Sequence, residues 1–381
     1  MRSLRLPSLV LLCASLLLHG CGFFSKDGGG KFFTGDDNSG TSGGTGTAAT
    51  NYVFVANSGA NSVTGLGISS AGKLATLSGS PLNFSNTPTA LAVSRDNKYL
   101  YVGNSASIFG FSIAADGTLS TLNKGVALGN ANCVDMQVSP DGKWLLILDG
   151  SGNALDLYSI NSDGTLTIGT NSGLGFTANG TVVPKQLRIA PGGNFVVAAM
   201  GTGGEIVFSF NTSTGVLAYL KQVLPPSLTS DNGIAIDSTG TYLYEARSGN
   251  AAGLVVNTVG SDGSLTPTTS AVYPAGGQPY SVVLDNTGAY VYVANRGDGN
   301  ISGWTIGTNA ALTAISGSPF ASGGAVTSLG ADSTGKYIAA AAYSGSPDVT
   351  LYSFDSTTAG KLVSASTSST GTNASLVALS H

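Results

Sequence analysis

From residue 51 onward the chain carries short apolar runs, each headed by an aromatic residue: Tyr52, Tyr99, Trp144, Phe195, Tyr242, Tyr290 and Tyr337. Successive heads are 47, 45, 51, 47, 48 and 47 residues apart. A second marker, usually Asp-Gly-x-Leu, follows each run at nearly the same period, at Leu74, Leu119, Leu166, Leu217, Leu265, Leu312 and Leu362. Two independent markers at one period predict a repeat architecture. Runs such as "YLYV", "WLLIL" and "YVYVA" are apolar almost throughout, where a sheet with one wet face would alternate. They predict strands buried on both faces.

Each unit divides into four short strands. Around Phe195 these are "KQLRIA" from Lys185, "FVVAAM" from Phe195, "EIVFSF" from Glu205 and "LAYLKQV" from Leu217, separated by turns such as "PGG" and "NTSTG". Four antiparallel strands in about 47 residues, stacked face to face round an axis, make a β-propeller blade. Residues 51–381 accommodate seven such units. The first opens at "NYVFVAN" without a leading strand, and the chain closes with "SLVALSH", which matches "TALAVSR" at Thr89–Arg95. The expected fold class is therefore all-β: a seven-bladed propeller of four-stranded antiparallel blades. Its ring is closed by the C-terminal strand pairing with the N-terminal blade, which leaves no open edge.

Composition fits that picture. Charged residues are 9% and Gly is 55 of 381, against roughly 25% and ~7% in ordinary soluble domains. The formal net charge is −4 and no basic run occurs, so nucleic acid is excluded as a partner.

The first 50 residues read differently. Arg2 and Arg5 precede an apolar stretch, Leu6 to Leu18, too short for a permanent membrane span. It ends in "LHGC", Leu18–Cys21, which resembles a bacterial lipobox. That resemblance implies a signal peptide over residues 1–20, cleavage before Cys21 and lipidation of Cys21. Several acyl chains hold a protein on a membrane where one does not. Gly22 rather than Asp follows the Cys, which by the sorting pattern of such lipoproteins implies the outer membrane, and not the cytoplasm. Residues 21–50, rich in Gly, Ser and Thr, are expected to be a tether. Cys13 leaves with the signal peptide and Cys133 stands alone in the remainder, so no intramolecular disulfide is expected.

The repeat "P-x-x-L-x-V-x-x-D-G-x-Y-L-Y-V-x-N" followed by "D-G-x-L" resembles the seven-bladed lactonase propellers, the 6-phosphogluconolactonase-like family. It is also similar to surface-layer propeller repeats with a Tyr-Val-Thr-Asn signature. The likeness runs from Asn51 to the C-terminus and implies the propeller fold and hydrolysis of a sugar lactone, a carboxylic ester hydrolase activity. Family enzymes carry Gly-Pro-Arg-His at the start of one inner strand and a Glu after a second strand. The matching place here is "VPKQ", Val183–Gln186: Pro184 agrees, Lys185 stands for Arg, Gln186 for His, and Met200 for the Glu. In the unit at Pro279, Tyr280 stands for a second Arg, while Asn295 and Arg296 fit the pattern. Lactone opening needs a base for water and donors for the oxyanion.

Propeller ligands bind at the axial mouth. Asp135, Gln137, Lys185, Gln186, Arg188, Glu205, Asp231, Asn232, Glu245 and Arg247 are predicted there in three successive blades, with Arg296 in a later one. Arg188 and Glu205 are spaced to meet across the first and third strands of one blade. They would form either a structural ion pair plugging the channel or part of an anion- or sugar-binding mouth with Lys185 and Arg247. Were the chain an enzyme, Arg188 and Glu205 would be its catalytic candidates. No cofactor or metal is expected: Cys133 and His381 cannot build a zinc site, no phosphate loop occurs, and "DGSGN" at Asp149 reads as a turn. Two functions stay open, an envelope binding or scaffold module for a protein, glycan or small anion, and a lactonase with a non-standard site. A monomer is expected.

Overall fold

The computed structural model describes residues 51–150, 154–170 and 172–381. The signal peptide, Cys21 and the tether lie outside the described residues.

Seven antiparallel sheets form the seven blades. Blade 1 comprises residues 51–83 together with 374–379, blade 2 90–121, blade 3 133–175, blade 4 186–223, blade 5 229–267, blade 6 279–321 and blade 7 325–368. The closing strand is the one expected: Ala374–Leu379 pairs antiparallel with Asn51–Asn57, with Leu379 opposite Val53 and Val377 opposite Val55. Blades 1, 3 and 6 each add a two-residue outer strand, at Leu82–Asn83, Leu174–Gly175 and Phe320–Ala321, too short to leave a periodic signal in the sequence.

The repeated turn before each second strand has a local cause. A side-chain oxygen at the head of the turn accepts the amide of the aromatic five residues on. Asp237 does so for Tyr242, Asp285 for Tyr290 and Asp332 for Tyr337, each at 2.7 Å. Ser94 and Ser139 do the same for Tyr99 and Trp144. In blade 1 the acceptor is Ser380, 328 residues away, at 2.9 Å from the Tyr52 amide. The turn needs a left-handed residue just before the strand, supplied by Gly288 at φ 70° and by Asn97 at φ 59° in blade 2.

The two sequence markers touch. Five of the seven heading aromatics, Tyr52, Tyr99, Trp144, Tyr290 and Tyr337, lie on the glycine of the next blade's Asp-Gly-x-Leu hairpin or its equivalent. A Cβ on Gly164 would fall 2.4 Å from the Tyr99 ring, and one on Gly215 2.4 Å from the Trp144 ring. The Tyr52 hydroxyl donates to Ala115 O and the Trp144 indole N–H to Thr212 O. The shared period of the markers is thus one inter-blade contact. The core lies in the wedges between neighbouring blades. Between blades 7 and 1, for example, Ala339, Ala341, Val349 and Leu351 pack on Val53, Val55, Leu66 and Ile68.

Candidate functional site

First strands line the axis and present backbone groups that no fifth strand covers. Side chains of the preceding blade satisfy them. Asp135 accepts the Leu187 amide at 2.9 Å, Gln137 the Ile189 amide at 2.6 Å, and Gln186 the Ile234 amide at 2.7 Å. Ser281 and Ser328 serve Leu329 and Val377. Thr89 donates to Cys133 O and Asn232 to Pro279 O. Asp135, Gln137 and Gln186 do face the axis as expected, but each is engaged in joining two blades. They border an axial cavity of about 200 Å³ that also meets Arg95, Arg188 and His381. The His381 ring lies 3.3 Å from Val93 O; burial, then Arg95, hold its pKa below the ordinary value.

The pairing of Arg188 with Glu205 does not occur. Arg188 binds Asp135 of the preceding blade, Nη1 to Oδ2 at 3.1 Å, and its own carbonyl neighbour Leu187 O at 2.6 Å. The register explains this. Glu205 lies opposite Ala199, which lies opposite Gln186, so Arg188 is two residues farther along the blade, opposite Val197 and Val207. Its nearest carboxylate is across the axis side, not across the blade. Burial raises the Asp135 pKa, with Arg188 opposing it.

Glu205 instead reaches the wedge between blades 4 and 5. There it joins Asp231 and Glu245, and all three are fully buried. One ligand oxygen from each lies within 4.8 Å of the others. Arg247, whose side chain is 11% exposed, donates Nε to Asp231 Oδ1 at 2.6 Å and Nη2 to Glu245 Oε2 at 2.8 Å. Asn257 donates to Glu245 Oε1 at 2.8 Å. As carboxylates, both Glu205 oxygens and Asp231 Oδ2 have no donor. Burial, then the Glu245 and Asp231 charges, push the Glu205 carboxyl well above its usual range. Burial pushes Glu245 up to about 8. Backbone bonds between Gly201 and Asp231, at 3.0 and 3.1 Å, clamp the two blades over this group. Counting His and Cys residues could not find it, but the repeat could. Glu205 occupies the position of Val63, Ile108, Leu155, Leu254, Ile301 and Val349 in the other blades. Glu245 occupies that of Val55, Val102, Ile147, Ala198, Val293 and Ala340.

Two expected mouth residues remain as open cations. Lys185, just before the first strand of blade 4, is half-buried; burial and then the Arg296 charge lower its pKa. Arg296, just after the second strand of blade 6, lies over the Tyr280 ring at 5.2 Å and the Tyr343 ring at 5.9 Å. Among the described residues neither cation has a carboxylate partner. Asp298, two residues from Arg296, accepts the Gly277 amide at 2.7 Å and so ties the hairpin to the preceding loop.

The family model described as "Lactonase, 7-bladed beta-propeller" matches residues 118–227 and 238–377. The chain belongs to this lactonase propeller family. A Bacteroides uniformis protein described as a candidate 6-phosphogluconolactonase superposes with a TM-score of 0.72 at 17% identity, covering 86% of this chain and 99% of that one. A Lactobacillus plantarum protein gives 0.71 at 18% identity, covering 87% and 99%. The Pseudomonas aeruginosa periplasmic gluconolactonase gives 0.66 at 14% identity, again covering 87% and 99%. At these identities the superpositions show the fold alone. No curated protein sequence matches at a significant level.

Proposed function

We propose that this lactonase-family propeller is a lipid-anchored envelope protein whose axial mouth binds a small anionic ligand of the sugar-acid class. The observation that carries the reading is the pair of open cations. Lys185 and Arg296 converge from blades 4 and 6, and after burial the Arg296 charge lowers the Lys185 pKa; an anion between them would relieve that repulsion. Arg offers a planar fork to a carboxylate or phosphate, and Lys a point charge. Tyr280 and Tyr343 hold the guanidinium by cation–π contact. Calorimetric titration with gluconate and 6-phosphogluconate tests the reading. Binding should weaken by about tenfold or more in Lys185→Ala and Arg296→Ala, the usual worth of a charge-assisted hydrogen bond. Absence of binding by the wild type would reject it. The anchor is tested by Cys21→Ala, expected to move the protein out of the membrane fraction; a wild type found wholly soluble after cleavage would reject that part.

A second reading, hydrolysis of a sugar lactone, is favoured by family membership and by the lactonase names of similar structures. Against it, Gln186 cannot take a proton as His does, and its Oε1 already accepts the Ile234 amide. Met200 is buried and supplies no carboxylate. General acid–base help is worth roughly 10²–10⁴-fold. We therefore expect lactone consumption at the spontaneous rate. Turnover above it, abolished by Glu205→Gln, would favour the enzyme.

A further inference from the structure

We propose that Glu205, Asp231 and Glu245 form a binding site for one oxygen-seeking divalent cation, best sized for Ca²⁺, in the wedge between blades 4 and 5. This inference is independent of the ligand assigned to the mouth.

Charge is the first ground. Three buried carboxylates and one largely buried guanidinium carry two uncompensated negative charges when ionised. A buried charge is retained only when paired, metal-bound or protonated. One divalent cation balances this group without any proton. The second ground is the set of vacant donors. Glu205, fully buried, brings a ligand oxygen into the group, and as a carboxylate neither of its oxygens has a donor; Asp231 Oδ2 likewise has none. Thr229, two residues before Asp231, has a buried hydroxyl that also lacks a partner. The third ground is spacing. Ligand atoms within 4.8 Å of one another can share one ion at the Ca–O distance of about 2.3–2.6 Å. All the donors are oxygens, the set that suits Ca²⁺, Mg²⁺ and Mn²⁺ rather than zinc or copper.

The surrounding residues already do what the partners of metal ligands do. Arg247 holds one oxygen each of Asp231 and Glu245, and Asn257 the other oxygen of Glu245. These bonds orient the carboxylates and leave Glu205 and Asp231 Oδ2 to face the ion. The repeat supplies an independent argument. Two of the three acids replace aliphatic residues found at the same position in the six other blades. The third, Asp231, aligns with Cys133, Pro279, Val326 and Ala374. Three departures from a core pattern that converge on one point mark a site rather than drift.

The test uses the full processed chain, treated with chelator and dialysed. Titration with CaCl₂, and separately MnCl₂, is followed by thermal melting and by metal analysis after gel filtration. We expect close to one ion per chain and a melting point raised by a few degrees at saturating ion. Glu205→Gln and Glu245→Gln, each checked by circular dichroism for the native fold, should both lose the bound ion and the shift. Either variant suffices if the other does not fold. A folded wild type that holds neither ion and melts at the same temperature with and without them overturns the proposal. So does a folded variant that keeps the ion.

Discussion

Two wedges of the ring, between blades 7 and 1 and between blades 4 and 5, are built on the same backbone and filled with opposite chemistry. In the first, Val349, Val55 and Leu66 close the wedge beneath Asn57. The Asn57 amide donates to Ser62, Thr64 and Thr370, and its oxygen accepts from Thr370. In the second, the same four positions hold Glu205, Glu245, Asn257 and Arg247. The apolar wedge follows the general logic of propellers: each buried Val or Leu contributes about 1.5–3 kcal/mol. The polar wedge spends that contribution on desolvated charge. The difference teaches that this backbone closes a wedge with aliphatic residues at the positions where blades 4 and 5 carry acids.

The comparison can be broken hardest at the apolar wedge. Deleting Leu376–His381 removes most of the inner strand of blade 1 and its face against Ser328 and Val55. We expect aggregation or a loss of several kcal/mol, on the scale of severe core lesions, read by thermal melting and light scattering. Next in size is Arg247→Ala, which leaves three buried acids without their cation; about 3–5 kcal/mol should be lost in chelator-treated protein. The opposite edit converts the polar wedge into the apolar one: Glu205→Val, Asp231→Ala, Glu245→Val, Asn257→Leu and Arg247→Asn together. Replacing a buried charged group by packed apolar residues commonly stabilises by about 1–4 kcal/mol, so the metal-free melting point should rise. A fall would show that the acids support the fold.

The smallest expected effect is a pH slope. Glu245, pushed up to about 8, and Glu205, also raised, bind protons more tightly folded than unfolded. Asp231, raised by burial, acts in the same direction, and Arg247 opposes all three. Their contribution is full below the unfolded carboxyl range and is lost as pH rises through about 8. Melting of the chelator-treated protein should therefore fall between about pH 5 and pH 8, and the fivefold variant should flatten that slope. An equal slope in both proteins would place the titrating groups elsewhere.

The fold was legible because the two markers that repeat are the two halves of one contact: an aromatic head and the hairpin glycine it covers, Tyr99 on Gly164 or Trp144 on Gly215. The site was legible only in part. Polar residues clustered in blades 3 to 5 were visible, and Glu205, Asp231, Glu245 and Arg247 of that cluster do come together, in a buried wedge between blades 4 and 5. Their partners were not visible. Whether Arg188 turns to Asp135 or to Glu205 depends on which neighbour a side chain faces, and strand period does not encode that. The strongest clue, Glu205 and Glu245 at aliphatic positions of the repeat, needed the register of paired strands to be read with certainty.

The side chains that reach forward along the axis all reach the same way. Thr89, Asp135, Gln137, Gln186, Asn232, Ser281 and Ser328 each bond to the backbone of the following blade. Blades 2 to 7 thus each lock their successor, and the ring has a sense of rotation written in hydrogen bonds. A blade slid by one residue along the axis would unhook its neighbour. A blade copied into the ring, by gene duplication or by design, would have to bring a forward-reaching hydrogen-bonding side chain of its own and arrive behind one. Growth of such rings is therefore constrained in order as well as in number, and blades resemble words in a fixed sentence more than interchangeable bricks.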